Sequence, residues 1–417
     1  HDATELPENE DYDYIIIGGG TAGCPLAATL SSKFSVLLLE RGSDPNKYPS
    51  VLNEQGLLNV FVEEDDGENP FQRFVSEDGV EILRGRVLGG GSMVNAGFYS
   101  RGHGEFFESA GVDWDMELVE KGYEWVEETV VSRPRLSAWQ SAFRRALLEG
   151  GVGPDNGFDL RHLVGTKTGG SIFDEDGNRH GAVELLNGVE PGNLKVAVRA
   201  TVQKIIFSDL SAIGVSYSDS KGKTHTAFIR KKGEIILSAG AIGSPQLLLL
   251  SSLHLNSSTD VKNNPIVRFN YYSNPNDLAQ CVRGLRKVGD LLKTRMMEKI
   301  KTRDLEGNKG FLFLGPPLPE NLSDISSVEE YCKETVTTYW HYHGGCLVGK
   351  VVDESSESKI CVSSMARLSV SPGTNPMATL MMLGRYVGLK MLQERSNEHE
   401  ALNHCYLSPS HPHFHLR

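Results

Sequence analysis

Three observations predict an α/β protein. Two continuous apolar runs, at residues 14–17 and 36–39, are typical of strands covered on both faces of a parallel sheet. A glycine-rich turn and a helical stretch over residues 22–30 separate the two runs, so together they form one βαβ unit. The chain has 417 residues, which is too long for one small core and predicts one large domain or two lobes.

The remaining elements are predicted from apolar periodicity. Short strands separated by polar turns are expected at residues 194–198, 202–206, 212–217 and 234–238. Helices are expected at residues 114–131, 138–148, 277–292 and 378–395. The last stretch, 396–417, carries five histidines and two prolines and is typical of a disordered tail.

The turn of the βαβ unit has the pattern G-x-G-x-x-G. Gly18, Gly20 and Gly23 are its three glycines, and Thr21 and Ala22 lie between Gly20 and Gly23. Gly18 permits the tight turn, Gly20 lets a pyrophosphate approach the backbone, and Gly23 lets helix and strand pack closely. The exposed amides and the helix dipole favour an anion. The pattern predicts a Rossmann-type dinucleotide site; the alternative is a glycine-rich turn that binds nothing.

A carboxylate ends the second strand of the unit. Glu40 stands 22 residues after Gly18, where an acidic side chain binds the adenosine ribose hydroxyls, and Arg41 follows it. This part of the sequence does not distinguish FAD from NAD.

Net charge and cysteine spacing exclude several function classes. The net charge of -12 argues against nucleic acid or an anionic membrane as a partner. No apolar run reaches the ~18 residues of a membrane span. The six cysteines contain no CxxC pair, so a zinc or iron–sulfur site is not expected.

Residues 338–346, TYWHYHGGC, place His341 and His343 two positions apart. In an extended strand these two side chains would share one face. A metal site or a buried core histidine is the ordinary interpretation of such a pair, but no third metal ligand is spaced nearby, so no metal is predicted.

Two further stretches carry a family resemblance. Residues 85–95, GRVLGGGSMVN, and 240–251, GAIGSPQLLLLS, resemble the two signatures of the glucose–methanol–choline (GMC) flavoproteins. With the βαβ unit and the WHYHGGC run, four stretches follow the family's order over most of the chain. Within the family the sequence most resembles the plant (R)-mandelonitrile lyases and the HOTHEAD-like oxidoreductases.

The resemblance implies a Rossmann-type FAD-binding domain and a discontinuous, shortened substrate domain of α+β type built on a β-sheet. FAD is expected to be noncovalent, because covalent attachment in the family uses a histidine of the first signature region, and the nearest one here is His103, several residues downstream. The implied segments are 1–110 (FAD-binding), 111–190 (mainly substrate-side and helical), 191–252 (FAD-binding), 253–338 (substrate-domain remnant), 339–395 (FAD-binding and catalytic) and 396–417 (tail).

The resemblance also assigns individual residues. His341 is the expected catalytic base, with Trp340 beside it, a hydroxyl from Tyr339, and Asn375 of the SPGTNPMATL stretch facing it; His343 is expected to point away. Further cofactor contacts are implied for Val87, Gly89, Gly90, Ser92, Asn95, Ala96, Gly97, Val202 (to the adenine), Ala239 and Pro376. Cys281 and Cys332 match a pair that is bridged in the almond-type lyases.

The chain departs from the family pattern in two places. After Ser251 it resumes at a later family position, and roughly a hundred residues are absent, judged from typical domain sizes. Residues 354–369, ESSESKICVSSMARLS, stand where the family has a run that touches the flavin pyrophosphate.

Three functions follow. The first is a hydroxynitrile lyase that cleaves an aromatic cyanohydrin such as mandelonitrile, and the second is an FAD-dependent alcohol oxidase or dehydrogenase that uses His341 and Asn375. The third is an inactive, shortened variant. The sequence favours the lyase narrowly, and a monomer is expected. The sequons at Asn256 and Asn321, and a first residue, His1, that is not Met, predict a processed protein of the secretory pathway, vacuolar or extracellular and N-glycosylated.

Overall fold

The strands and helices that the sequence predicts occur in the same order in the computed structural model, together with further elements. The strands are β1 (Asp11–Ile17), β2 (Val36–Leu39), β3 (Phe71–Val75), β4 (Glu81–Gly85), β5 (Phe98–Tyr99), β6 (Asp155–Phe158), β7 (Thr166–Thr168), β8 (Gly170–Ser171), β9 (Leu194–Ala197), β10 (Thr201–Ser208), β11 (Ser211–Ser218), β12 (Thr224–Leu237), β13 (Thr302–Arg303), β14 (Lys309–Gly310) and β15 (Ile360–Val362). The helices are α1 (Gly23–Leu30), α2 (Asn59–Val62), α3 (Gly104–Ser109), α4 (Met116–Val130), α5 (Ala138–Glu149), α6 (Gly240–Ser251), α7 (Pro275–Leu292), α8 (Arg295–Ile300), α9 (Ile325–Glu334) and α10 (Met377–Tyr406).

The structure describes residues 1–6, 10–189, 192–209, 211–251, 261, 263–303, 307, 309–311, 315–346, 360–362 and 370–406. The side chains of Phe61, 360–362 and 398–406 lie outside the description. Asn256 and nearly all of the 354–369 stretch also lie outside the described residues.

A seven-stranded mixed sheet organises the fold in the order β10-β11-β12-β1-β2-β9, and β15 also pairs with β12. β9, β2, β1, β12 and β15 run parallel, whereas β10, β11 and β12 form an antiparallel meander. The register aligns Tyr14 with Val36 and Ile17 with Leu39, so both apolar runs end at the same edge. That shared edge is where ligands bind in open parallel sheets.

Strand β1 is buried on both faces, as its continuous apolar run predicts. Tyr14 and Ile16 point into a core that includes α1, α4 and α10. Ile15 and Ile17 point into a second core with the meander and Leu247 of α6. Both faces of the strand therefore specify its position in the sheet.

Helix α10 packs closely against α1. A Cβ on Gly384 would lie 2.2 Å from the carbonyl oxygen of Ala22, and one on Gly388 would lie 2.7 Å from Thr29, so larger residues could not approach this closely. The helix continues to Tyr406, and the prediction of a disordered tail is wrong for residues 396–406. Good helix formers between residues 398 and 402 extend a helix that is already nucleated. Residues 407–417 lie outside the described part.

Two helical regions flank this core. α4 lies within the stretch predicted to be mainly substrate-side, yet its apolar face packs into the same core as α1 and α10. α7 and α9 form a small separate core, and the disulfide between Cys281 and Cys332 joins them with a Cα–Cα distance of 6.4 Å. Among the described helices, none has the length and apolarity to cross a membrane.

Candidate active site

Two glycine loops meet at the carboxyl end of β1. The chain turns at Gly18 with φ +103°, a conformation that glycine adopts without strain. The Gly19 carbonyl accepts a hydrogen bond from the Gly89 N–H at 2.7 Å. Gly90 packs on Gly20 so closely that a Cβ on Gly90 would be 2.8 Å from the Gly20 Cα. The two loops therefore form one continuous floor without side chains.

A cavity of about 750 Å³ lies above this floor, a volume typical of small-molecule sites. It is bounded by loops from distant parts of the chain, which the sheet and α10 bring together. The predicted site residues that line it are Gly18, Gly20, Thr21, Ala22, Glu40, Arg41, Gly90, Asn95, Ala96, Gly97, Val202, Ala239, Tyr339, Trp340, His341, Asn375 and Pro376.

Four residues predicted to contact the cofactor support the cavity without lining it. Gly23 packs on the preceding turn, where a Cβ would be 2.0 Å from a carbonyl oxygen. Val87 is fully buried in an apolar cluster, and the Gly89 N–H is bonded within the floor. The Ser92 hydroxyl donates to a backbone carbonyl at 2.7 Å and accepts from the Ala182 N–H at 2.9 Å. These four residues position the loops, and their direct contact with the cofactor stays a prediction.

Glu40 is held by two backbone donors at the end of β2. Its Oε2 accepts from the Gly19 N–H at 2.9 Å and its Oε1 from the Gly42 N–H at 2.7 Å. Burial raises the pKa of Glu40 above 4.5, while the N–H groups and Arg41 oppose that rise. Each carboxylate oxygen retains a lone pair, so the group can also accept from ligand hydroxyls.

The TYWHYHGGC segment is not extended, so the strand geometry in which His341 and His343 would share one face does not apply to it. Trp340 has φ +58°, and its N–H donates to the Thr338 hydroxyl at 2.9 Å. This turn lets His341 line the cavity, while His343 lies outside it and donates through Nδ1 to the His341 carbonyl at 3.3 Å. The chain turns again at Gly344 and the following glycine, both with positive φ.

His341 has the properties of a proton acceptor. Its ring is exposed towards the cavity, yet partial burial lowers the pKa of His341 below 6.5. The lowered pKa of His341 keeps its imidazole neutral at neutral pH, and the neutral form is the one that accepts a proton. Tyr339 stands beside it with ring centroids 6.4 Å apart, and its side chain is 79% exposed.

Asn375 contributes an amide that is already engaged. Its Nδ2 donates to the Phe98 carbonyl, and its Oδ1 accepts from the Thr374 hydroxyl at 3.2 Å. The Phe98 ring is 67% exposed and also lines the cavity. An amide does not titrate, so Asn375 can orient an oxygen atom but cannot exchange protons.

Sequence reasoning missed several parts of the wall. Glu81, Leu83 and Arg84 come from β4 of the β3–β4 hairpin, which carries no predicted site residue. Tyr342 also lines the cavity. The sequence offered one signal for Arg84, which is that it directly precedes the first signature and so lies close to predicted cofactor contacts. Other lining residues that were not predicted are Ile17, Leu39, Gly85, Gly91, Val94, Phe98, Ala200, Thr201, Ser238, Gly240, Ala241, Ile242, Gly243, Gln246, Leu247, Val261, Thr337, Thr338, Met377 and Leu380.

Two family models described as GMC oxidoreductase match the chain, one over residues 12–289 and the other over residues 251–384. The chain belongs to the GMC oxidoreductase family. The two matches overlap from residue 251, where the sequence predicts that a segment is missing.

The GMC relatives include enzymes of different types. (R)-mandelonitrile lyase 1 of Prunus serotina is 43% identical, over 95% of this chain and 89% of its own length. Sinalpyl alcohol oxidase Nec3 of Nesocodon mauritianus is also 43% identical, over 95% and 91%. Protein HOTHEAD of Arabidopsis thaliana is 36% identical, over 93% and 89%. Similarity alone therefore does not separate lyase from oxidase.

The alignments support an internal gap. The alignment with (R)-mandelonitrile lyase 3 of Prunus serotina spans 510 positions and exceeds the 417-residue chain by 93. At least that many positions of the relative therefore face a gap in this chain. This agrees with the roughly hundred residues inferred from typical domain sizes.

Solved structures show the same fold. Formate oxidase superposes with a TM-score of 0.76 at 14% identity, over 94% of this chain and 100% of that one. Pyridoxine 4-oxidase from Mesorbium loti superposes with a TM-score of 0.71 at 18% identity, over 91% and 98%. The GMC architecture is thus present despite the gap.

GMC oxidoreductases bind FAD, and the residues of this cavity fit that cofactor. The floor has room for a ligand, because a Cβ on Gly20 would meet nothing nearer than the Gly90 Cα at 4.0 Å. Backbone amides and the start of α1 suit a diphosphate. Glu40 stands at the end of β2 with accepting capacity for ribose hydroxyls.

Proposed function

We propose that the protein binds FAD noncovalently in this cavity, with its diphosphate on the Gly18–Gly20 turn and its adenosine ribose on Glu40. His103 supports the noncovalent mode, because its ring caps the start of α3 and does not line the cavity. Acid precipitation of the purified protein should release yellow flavin into the supernatant. Colour that stays with the precipitate would contradict this binding mode.

The bound substrate carries a CH–OH group, and His341 is the general base for its hydroxyl. The observation that carries this assignment is the position of His341, which faces the cavity with a lowered pKa and no carboxylate among the causes of that shift. The exposed ring of Tyr339 beside it and that of Phe98 elsewhere in the cavity wall favour an aromatic substrate.

The reaction is cleavage of an aromatic cyanohydrin such as mandelonitrile. An imidazole nitrogen of His341 takes the hydroxyl proton, and the bond between the carbinol carbon and the nitrile carbon breaks. The electron pair leaves with the nitrile carbon as cyanide, while the carbinol carbon forms a carbonyl group. His341 then returns the proton, and hydrogen cyanide leaves with the aldehyde. The similarity to mandelonitrile lyases supports this choice.

Oxidation of an alcohol is the second candidate, and Asn375 favours it. The amide cannot share protons with His341, as a second histidine could, but it can orient a substrate oxygen. The similarity to an alcohol oxidase supports the same reaction class. When bound, FAD supplies an electrostatic environment for the cleavage and a hydride acceptor for the oxidation.

One pair of assays separates the candidates. Benzaldehyde release from mandelonitrile is measured beside anaerobic loss of flavin colour with benzyl alcohol, for the parent, His341→Ala and Asn375→His, after flavin content has been matched. Cleavage by the parent that increases in Asn375→His supports the lyase, because a protonated imidazole attracts cyanide. Loss of flavin colour with benzyl alcohol, without cleavage of mandelonitrile by the parent or by Asn375→His, supports the oxidase. Neither activity in a flavin-loaded parent would support the inactive variant.

The secretory pathway is the proposed route. Asn321 is exposed, and its Oδ1 accepts from the Ser323 N–H at 3.0 Å, so the sequon lies in an accessible turn. The disulfide between Cys281 and Cys332 is of the kind that persists in oxidising compartments. Treatment of the native protein with a peptide N-glycosidase should lower its mass. Unmodified Asn321 peptides from the native source would argue against this route.

A further inference from the structure

Two arginines line the cavity beside one shared amide. Arg41 follows β2 and Arg84 belongs to β4. The Oε1 of Gln72, on β3, accepts from the Arg84 Nε at 2.8 Å and also from the Arg41 Nη1. Gln72 is 5% exposed. This amide therefore holds the two guanidinium groups side by side.

The two guanidinium groups lack a close counter-charge. Among the residues that the structure describes, no carboxylate lies within ion-pair distance of either one. Glu40 and Asp65 offset part of the charge on Arg41 at longer range. Burial and the neighbouring arginines, Arg41 first, lower the pKa of Arg84 well below its ordinary value.

Neighbouring arginines of the same hairpin region are paired differently. Arg86 binds Asp65 at 2.6 Å, and Arg73 binds Glu81. A neutral amide acceptor satisfies N–H groups without cancelling charge, whereas a carboxylate cancels it. Because a buried, uncompensated cation is unfavourable, this arrangement suits an anionic ligand group.

The backbone places Arg84 next to the floor of the cavity. Gly85 follows it, and a Cβ on Gly85 would be 2.6 Å from the carbonyl carbon of Gly90. Gly90 in turn packs on Gly20, at the turn assigned to the diphosphate. The guanidinium itself lies beside α6, because a Cβ on Gly243 would be 3.7 Å from the Arg84 Nη1 and 3.2 Å from the Ala239 Cβ. Ala239 in turn packs against Gly18, so the guanidinium lies along the wall that adjoins the glycine turn.

We propose that Arg84, together with Arg41, binds the diphosphate of the cofactor, and that Gln72 positions both guanidinium groups without cancelling their charge. The proposal rests on the proposed binding of FAD and extends it to a residue outside the glycine motif. The glycine turn supplies neutral N–H donors on one side of the diphosphate, and Arg84 and Arg41 supply charge on the other.

Calorimetric titration of flavin-free protein with ADP and with adenosine tests the assignment. Arg84→Gln should weaken ADP binding by about tenfold or more, the scale of a lost charge-assisted hydrogen bond, and should leave adenosine binding unchanged. Gln72→Glu keeps the shape of the side chain but adds a negative charge, so it should weaken ADP binding in the same way. Arg144→Gln is the matched control, because it removes one arginine while neither Arg144 nor its partner Asp155 lines the cavity, and ADP binding should remain.

Each outcome bears on a different statement. A parent that binds neither ADP nor FAD would refute the proposed function itself. If the parent binds ADP and both Arg84→Gln and Gln72→Glu bind it with the same affinity as the parent, the role of Arg84 is overturned while the proposed binding of FAD stands. Equal weakening of ADP and adenosine would also overturn it, because the arginine would then hold the adenosine. If Arg84→Gln does not fold, as judged by circular dichroism, Arg84→Lys and Gln72→Glu provide the test.

Discussion

Replacing Gly20 with alanine asks whether the space above the glycine turn holds a ligand group. Gly20 lines the cavity, its φ lies outside the left-handed region, and an added Cβ would meet only the Gly90 Cα, at 4.0 Å. The folded protein therefore has room for the methyl group. The free energy of unfolding of the flavin-free variant should differ from that of the parent by no more than about 0.5–1 kcal/mol.

The same methyl group would stand where the diphosphate must approach. Hydrogen bonds from the turn require a heavy-atom distance of about 2.7–3.2 Å, which a Cβ on this residue prevents. Loss of one such bond to a charged group is worth about 1.5–3 kcal/mol, or about 10- to 150-fold in the dissociation constant. Gly20→Ala should therefore weaken FAD binding by this factor while leaving the fold intact.

Two measurements and one control complete this test. Quenching of flavin fluorescence gives the dissociation constant, and denaturant unfolding of the flavin-free protein gives its stability. Gly23→Ala is the control: its Cβ would be 2.0 Å from the Gly18 carbonyl oxygen, so it should destabilise the flavin-free fold by about 1–3 kcal/mol. Unchanged FAD affinity in Gly20→Ala would refute the reasoning, as would a comparable loss of stability in both variants.

Three other changes have defined outcomes. His341→Ala should lower kcat/KM by about 100-fold or more. Because burial disfavours the imidazolium, the parent should lose activity only as the pH falls through a His341 pKa below 6.5. An acid limb of the pH profile above 6.5 would contradict the assignment of His341 as the base. Glu40→Ala should weaken FAD binding by about 1–3 kcal/mol, and unchanged flavin occupancy at low FAD would remove its ribose role. Replacing Cys281 and Cys332 with alanine opens a loop of 51 residues and should lower the free energy of unfolding in denaturant by about 4 kcal/mol. Free thiols at both positions in the parent would exclude the disulfide.

The parts of the site that the sequence predicts are those with a local signal. The apolar runs, the glycine turn and Glu40 lie within one βαβ unit, where spacing along the chain determines spacing in the fold. The signatures and the WHYHGGC run were found by resemblance, and each contributes residues to the cavity lining. Val87 and Ser92 also support the loops through contacts within the protein, a role that the motif alone does not reveal.

The sequence by itself determined the class of fold, the family and the position of the nucleotide turn, because each depends on periodicity or on contiguous residues. Only the tertiary structure decided which side chains share the cavity. The backbone of Trp340 turns through positive φ and separates His341 from His343, a turn that no residue pattern around Trp340 predicts. Gln72 joins Arg41 and Arg84 across two strands and a loop. Such contacts depend on the packing of segments distant in the chain, which no local pattern encodes.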